Sequence, residues 1–356
     1  MSELYGIILA AGHGKRMKSA LPKVMHPVAG RPLVYYPVAA AFNAGVQCAV
    51  VVVGHGREHV SPYLAQTFGD RIRIAVQHEQ NGTGHAAAQA LPFVPESVDR
   101  VLILCGDTPL LCADDLRALV EALDKHPDAP VAMLTCTVDD PTGYGRVLRD
   151  KNGRISEIRE HRDLENETQR AVREINPGVY CARTAFLRET LSTLDCNNAQ
   201  GEVYLTDIVS RAAPRGGTVD APADAATLVG VNDRAQLAAA ETVMQARIIE
   251  KLRRSGVSIR DGAIIHDTVR VYPDATIENG ATLKGATTVE KGAIIDVGCV
   301  LEDAYVCENA HLLPYSVVTD FRIEPGTNHG PFAQRLRQSA VPTAAGEPPI
   351  PAPTAK

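Results

Sequence analysis

The chain has no CxxC pair or other paired metal-ligand cysteine spacing, no excess of positive charge and no long apolar run. Each absence removes a class of protein. The eight cysteines are scattered. With no secretory signal, they read as small buried side chains in a reducing cytoplasm. A formal net charge of −6 argues against nucleic acid as a main partner, though it leaves room for a local basic pocket. The first apolar run is short and enters a glycine loop, so it is neither signal peptide nor membrane span. Two phosphate-binding signatures are missing as well. A Walker A loop needs Gly, four residues, then Gly-Lys-Ser/Thr; Gly14-Lys15-Arg16 has neither the spacing nor the hydroxyl. A dinucleotide fingerprint needs a third glycine where Met17 stands. No Ser/His/Asp or Cys/His arrangement argues for a protein nucleophile, and His13, His26 and His85 read as loop or packing residues.

What is present begins with length and composition. The 356 residues, 45% hydrophobic and 22% charged, suffice for two domains with sizeable cores. Residues 4–23, LYGIILAAGHGKRMKSALPK, read as a buried strand that breaks into a loop and then a helix. Ala10, Ala11, Gly12 and Gly14 are nearly bare backbone, which can approach a ligand closely and turn N–H groups toward an anion. His13, Lys15, Arg16 and Lys23 place positive charge around that loop. The combination suits a phosphate cradle; the plain alternative is a tight strand-to-helix turn with surface lysines.

Residues 1–230 alternate short apolar runs with amphipathic stretches. Strands are expected at Gly6–Leu9, Ala49–Val53, Ile72–Val76, Val101–Leu104 and Val131–Thr137, with helices at Leu33–Ala44, Gly84–Ala90 and Ala113–Leu123. This alternation predicts an α/β domain with a mostly parallel sheet, whose ligands bind beyond the carboxyl ends of the strands. Several polar residues stand there. Gln77 precedes Gln80-Asn81-Gly82-Thr83-Gly84 and can serve a nucleobase edge, although a loop with a helix cap explains the same letters. Asp107 in Cys105-Gly106-Asp107-Thr108-Pro109-Leu110 reads as a candidate Mg²⁺ ligand or as a cap. Pro141-Thr142-Gly143-Tyr144-Gly145-Arg146 is a glycine loop or a hairpin turn. Ile155–Glu160 and then Glu174–Tyr180 read as strands leading to polar residues, and Asn176 can offer donor and acceptor to a sugar substituent. Asn232, after an expected short strand at Val229–Val231, is either a neutral oxygen ligand or an N-cap.

Residues 234–254 carry a charged helical pattern with Leu237, Ala240, Val243, Ala246 and Ile249 on one face. Then the period changes. Val271, Ile277, Leu283, Val289, Ile295 and Leu301 recur every six residues, and after a one-residue slip Val306, Leu312 and Val318 continue. Small residues follow seven of these nine anchors by four: Ala275, Ala281, Thr287, Ala293, Cys299, Ala310 and Ser316. Hexads of this kind predict a short left-handed parallel β-helix. The expected organisation is an α/β domain over 1–233, a linker helix over 234–256, the β-helix over 257–331, and a Pro/Ala-rich disordered tail over 332–356.

The motifs LAAG-x-G-x-RM, LPKVMH, QNGTGHA, GDTPLL, DDPTGYGRV, EIN-x-G, NNAQGE-x-Y-x-TD and GVNDR stand in this order. Together they resemble the bacterial bifunctional enzymes that join an N-acetylglucosamine-1-phosphate uridylyltransferase to a glucosamine-1-phosphate acetyltransferase β-helix. The resemblance covers roughly residues 4–335. It implies a Rossmann-like fold and synthesis of UDP-N-acetylglucosamine and pyrophosphate from UTP and the sugar 1-phosphate. It also implies roles. Leu9, Ala10, Ala11 and Gly12 would hold the uridine part, with Gln77, Gly82 and Thr83 recognising uracil and neighbouring groups. Arg16 and Lys23 would act on the phosphates. Asp107 and Asn232 would bind Mg²⁺, and Gly145, Glu160 and Asn176 would hold the N-acetylglucosamine moiety. UTP and the sugar phosphate are the implied partners, with neither nucleic acid nor membrane, and the β-helix is a candidate homotrimer contact. Three departures stand out. Arg159 precedes Glu160, Pro177 follows Asn176, and the later coils that carry the family's acetyltransferase site are missing. Acetyl transfer is therefore not expected. Alternatives are a relative using another sugar 1-phosphate or dTTP, a non-catalytic nucleotide-sugar-binding protein, and a trimeric acyltransferase.

Overall fold

The structure is a computed structural model that describes residues 3–336. The part of the expected disordered tail over 337–356 lies outside the described residues. The chain divides into two compact units, Met1–Met244 and Gln245–Lys356.

The first unit is built on a sheet of ten strands: β1 Leu4–Ala10, β2 Cys48–Val53, β3 Ile72–Val76, β4 Arg100–Cys105, β5 Val131–Thr137, β6 Gly145–Arg149, β7 Ile155–Arg159, β8 Glu174–Asn176, β9 Tyr180–Arg183 and β10 Thr218–Pro222. Their order is β8-β6-β7-β10-β5-β9-β4-β1-β2-β3, with a further β8–β5 pairing. The strands β4, β1, β2 and β3 run parallel, and so do β10 and β5. The pairings of β9 with β4 and β5, and those among β6, β7 and β8, are antiparallel.

The apolar runs explain the central half. All of β2 is buried, as a parallel strand covered on both faces should be. Side chains alternate between two cores. Ile8, Val51, Val53, Leu102 and Leu104 belong to one, Ile7, Val50, Val52, Val101 and Ile103 to the other. Helices α1 Tyr35–Asn43, α2 Arg57–Phe68 and α4 Ala113–Asp124 cover the first face through residues such as Val38, Leu64 and Leu119. Helices α3 Thr83–Ala90, α5 Thr184–Leu191 and α6 Asp207–Ala212 cover the second through Ala87, Leu187 and Val209. No strand forms at Val229–Val231, contrary to expectation; Val231 N donates to Asp107 O at 2.8 Å, a single bond that ties this segment beside β4. Helix α7, Arg234–Arg254, follows.

The second unit has the triangular coil of a left-handed parallel β-helix, with short parallel strands in sheets of five, five and four. Its inward positions stack as ladders 18 residues apart, closing to 17 in the pairings that span the Leu301–Val306 step and in those beyond it. Ile259, Ile277, Ile295 and Leu312 form one ladder, Ile265, Leu283, Leu301 and Val318 a second, Val271, Val289, Val306 and Ile323 a third. The small residues that follow the anchors, Ala275 through Ser316, are fully buried. Parallel pairing runs on to Gln334–Arg335, and among the described residues no helix is long and apolar enough to cross a membrane.

Candidate active site

The parallel strands β1, β2, β3 and β4 all deliver their carboxyl ends to one edge of the sheet. There the loops after Ala10, Val76 and Cys105 meet the segment before α7. The sequence makes this possible through glycine. Gly14 has φ 61°, and a Cβ there would run into the Lys23 side chain, so the loop can fold back over Lys23 only without one. Gly12 differs: nothing lies within 4 Å of its would-be Cβ.

Charge concentrates where these loops meet. The Lys23 ammonium pairs with Asp107 Oδ2, both side chains being only 15% and 17% exposed. The same ammonium donates to Asn232 Oδ1 at 3.3 Å, and Arg16 Nη2 donates to that oxygen at 2.9 Å. Four residues far apart in sequence thus share one polar centre. Asp233, and not Asn232, caps α7: its Oδ1 accepts from Gln236 N at 2.8 Å, while Gln236 Oε1 accepts from Asn232 N at 2.7 Å. This reciprocal cap leaves the Asn232 side chain to the site.

Connected cavities surround this centre. One of about 560 Å³ is lined by Lys15, Arg16, Lys23, Arg162 and Asn232. A second of about 330 Å³ carries Leu9, Ala10, Ala11, Gly12, Gln77 and Gly82, with Thr83, Lys23 and Asp107 also on its wall. A third of about 320 Å³ holds Gly145, Glu160, Asn176, Thr206 and Tyr180, and shares Leu9, Arg16, Asp107 and Asn232 with the others. Every site residue expected from the sequence therefore lines one of three cavities that share walls.

Local bonds fix several of these side chains. Gln77 Nε2 donates to Gly82 O at 3.0 Å and lies 3.1 Å from His85 Nδ1, so its Oε1 is the atom left for a ligand. His85 also lies 3.1 Å from Gln89 Nε2, the packing role expected of it. Thr83 Oγ1 accepts from Leu205 N at 3.0 Å. Asn176 Oδ1 accepts from Gly178 N at 2.9 Å, which leaves its amide nitrogen. Thr206 Oγ1 donates to Glu160 Oε1 at 3.2 Å. Burial raises the Glu160 carboxyl above its ordinary range, and Asp163 and Asp207 add to that, against the Thr206 bond.

Some residues of these cavities carried no role in the sequence reading. Cys105 and Tyr180 line the third cavity, Gln200 and Arg162 the first, Glu202 the second. Gln200 and Glu202 belong to the NNAQGE run, whose polarity was the signal; Cys105 and Tyr180 sit at the ends of apolar strands and gave none. Cys105 departs from the expectation that the cysteines are buried, being only half-buried. It faces the cavity, with burial pushing its thiol up to about 12. Cys196 is exposed. Arg159, the charge that precedes Glu160, is taken up by Glu157 at 2.9 Å and Glu165 at 2.6 Å. Pro177 lines the third cavity.

The donor set suits a hard divalent cation. Asp107 supplies a carboxylate and Asn232 an amide oxygen, and both already face one cation, the Lys23 ammonium. Among the described residues no group of three or more His, Cys, Asp or Glu could hold a metal. Two protein oxygens plus substrate phosphate oxygens is the arrangement that fits.

Residues 6–174 match the family described as a MobA-like NTP transferase domain. The chain is 54% identical over 264 residues to the bifunctional protein GlmU of Sorangium cellulosum, covering 73% of this chain and 56% of that protein. It is 48% identical over 263 residues to the GlmU of Pelobacter propionicus, with the same coverage. Over the matched residues the chain is similar in sequence to these GlmU proteins. It spans little more than half the length of these GlmU relatives. A solved structure described as a glucose-1-phosphate thymidylyltransferase of Bacillus anthracis, in complex with sucrose, shares its fold with a TM-score of 0.55 at 23% identity. The match covers 67% of this chain and 94% of that one.

Proposed function

We propose that the first unit is a UDP-N-acetylglucosamine diphosphorylase, which joins UTP to N-acetyl-α-glucosamine 1-phosphate and releases pyrophosphate. The observation that carries this reading is the convergence of Arg16, Lys23, Asp107 and Asn232 at the carboxyl edge of the sheet, between a glycine-lined cavity and a polar one. The glycine-lined cavity suits a nucleobase and ribose. The cavity with Glu160, Asn176 and Thr206 suits a sugar.

The sugar phosphate oxygen attacks the α-phosphorus of UTP in line, and pyrophosphate leaves. That oxygen is already anionic, so no general base is needed. Positioning and charge neutralisation carry the reaction. Arg16 and Lys23 meet negative charge that grows on the phosphates. Mg²⁺ held by Asp107 and Asn232 would supply further neutralisation of phosphate oxygens. Glu160 and Asn176 orient the sugar. Acetyl transfer forms no part of the proposal, which rests on the first unit alone.

The test is pyrophosphate release with Mg²⁺ for UTP and dTTP, each paired with N-acetylglucosamine 1-phosphate, glucosamine 1-phosphate and glucose 1-phosphate. A strong preference for UTP with N-acetylglucosamine 1-phosphate is expected. Preference for another pair moves the substrate while keeping the chemistry, and Pro177 on the sugar cavity wall gives that outcome a place to arise. No release with any pair overturns the reading in favour of a nucleotide-sugar-binding protein.

A further inference from the structure

Tyr180 opens β9, paired through its backbone to Ile103 of β4 and Met133 of β5. It is 1% exposed and one of the largest fully buried side chains of the chain. Its hydroxyl is buried and its proton meets no acceptor among the described residues, the Asn176 amide standing on the oxygen's side. A buried tyrosine hydroxyl ordinarily finds a partner, and leaving one without destabilises the fold. Phenylalanine would fill the same volume without that penalty. A polar atom kept on these terms is one whose partner arrives from outside.

Its location says which partner. Tyr180 lines the cavity of about 320 Å³ together with Glu160, Asn176 and Thr206. Burial pushes the phenol well above its usual value and the Glu160 charge adds to this, while the Asn176 amide opposes it. The hydroxyl therefore stays protonated and donates. Glu160 is the complementary group, an acceptor with one oxygen already engaged by Thr206. A donor and an acceptor on one cavity wall match a secondary amide, which offers C=O and N–H together. Leu9, Leu205 and Pro177 supply apolar surface for an acyl methyl.

We propose that Tyr180 Oη donates a hydrogen bond to the acyl oxygen of an N-acylated sugar 1-phosphate, with Glu160 accepting from the amide N–H. Tyr180 is then the residue that favours the acylamino sugar over its 2-hydroxy counterpart. This rests on the diphosphorylase reading and goes one residue further.

Tyr180→Phe tests it, because the variant removes one oxygen and nothing else. The ligand-free variant is expected to melt no lower than the native protein. Its kcat/KM for N-acetylglucosamine 1-phosphate falls about tenfold, the scale of one lost hydrogen bond. Its kcat/KM for glucose 1-phosphate and its KM for UTP stay unchanged. A fall in melting temperature would show the hydroxyl engaged within the fold and overturns the inference. So does an unchanged ratio between the two sugars, or an equal loss for both. A native protein that turns over neither sugar overturns the diphosphorylase reading instead. Calorimetric binding of the two sugar phosphates to both proteins then decides the role of Tyr180, since a selective loss for the acylated sugar supports it and equal or absent binding overturns it.

Discussion

Lys23 stands between two oxygen acceptors, and that position makes two substitutions informative. In Asp107→Ala the carboxylate that faces Lys23 disappears and only the Asn232 oxygen remains at that centre. Pyrophosphate release is expected to fall by at least about 10²-fold in a folded variant. Substantial Mg²⁺-dependent turnover would remove Asp107 from the mechanism. In Lys23→Ala, kcat is expected to fall by about 10²–10³-fold with little change in KM for UTP, since charge neutralisation matters most as pyrophosphate leaves. A change confined to KM would make Lys23 a ground-state phosphate contact only. Glu160 yields a different readout. Desolvation holds its carboxyl above the ordinary range, so the folded chain keeps that proton to higher pH than the unfolded chain does. Its stability contribution is full below the unfolded pKa and is lost as pH rises through the folded one. Glu160→Gln should therefore raise stability near pH 7 and flatten its decline between about pH 4.3, the ordinary carboxyl value, and neutrality. Urea midpoints at several pH values for both proteins check this; parallel curves would show that Glu160 titrates alike in both states.

At the scale of elements, the two loops that line the cavity with Leu9 and Gln77 use glycine for opposite reasons. Gly82 has φ 103° and ψ 175°, and a Cβ there would fall 2.8 Å from Val203 N and closer still to Val203 O. Gly82→Ala is expected to cost more than about 2 kcal/mol, because neither strain nor a backbone neighbour can relax cheaply. Gly12→Ala meets nothing within 4 Å. Its stability should stay within about 0.5 kcal/mol of the native protein while UTP binding weakens. Denaturant titration and UTP calorimetry on the pair separate the fold's glycine from the ligand's; a stable Gly82→Ala, or normal UTP binding by Gly12→Ala, would reverse that assignment. The motif letters around both glycines were readable from the chain, but not which role each plays. That depends on Val203, which sequence places 121 residues away. The strands β1 to β5 were legible because short runs dominated by apolar residues, near-continuous in β2 and β4, have one good destination. Helix α2 was not, since Gly56 precedes it and Pro62 lies inside it. The expected strand at Val229–Val231 failed for the converse reason: its apolar letters serve one backbone bond to Asp107 O rather than a ladder.

At the scale of the molecule, legibility follows from how each unit holds itself together. The β-helix repeats one local rule, so its anchors and small residues could be read with a ruler, including the shortened turn after Leu301. The site in the first unit depends on residues 216 apart, Arg16 and Asn232, and only the resemblance brought them together beforehand. The same contrast sets how each unit responds to damage. In a solenoid each coil leans on its two neighbours, so a defect stays local. Ile295 is fully buried, with Ile277 below and Leu312 above it in the ladder. Ile295→Ala leaves a cavity that rigid coils cannot close and should cost about 2–5 kcal/mol. Hydrogen exchange should rise first at Thr276–Ile277, Ile294–Ile295 and His311–Leu312, where the ladder is broken. The amides of β1, β2 and β4 should keep their protection, because their core shares no residue with this ladder. Exchange that rose evenly through both cores would show one cooperative fold where the packing describes two.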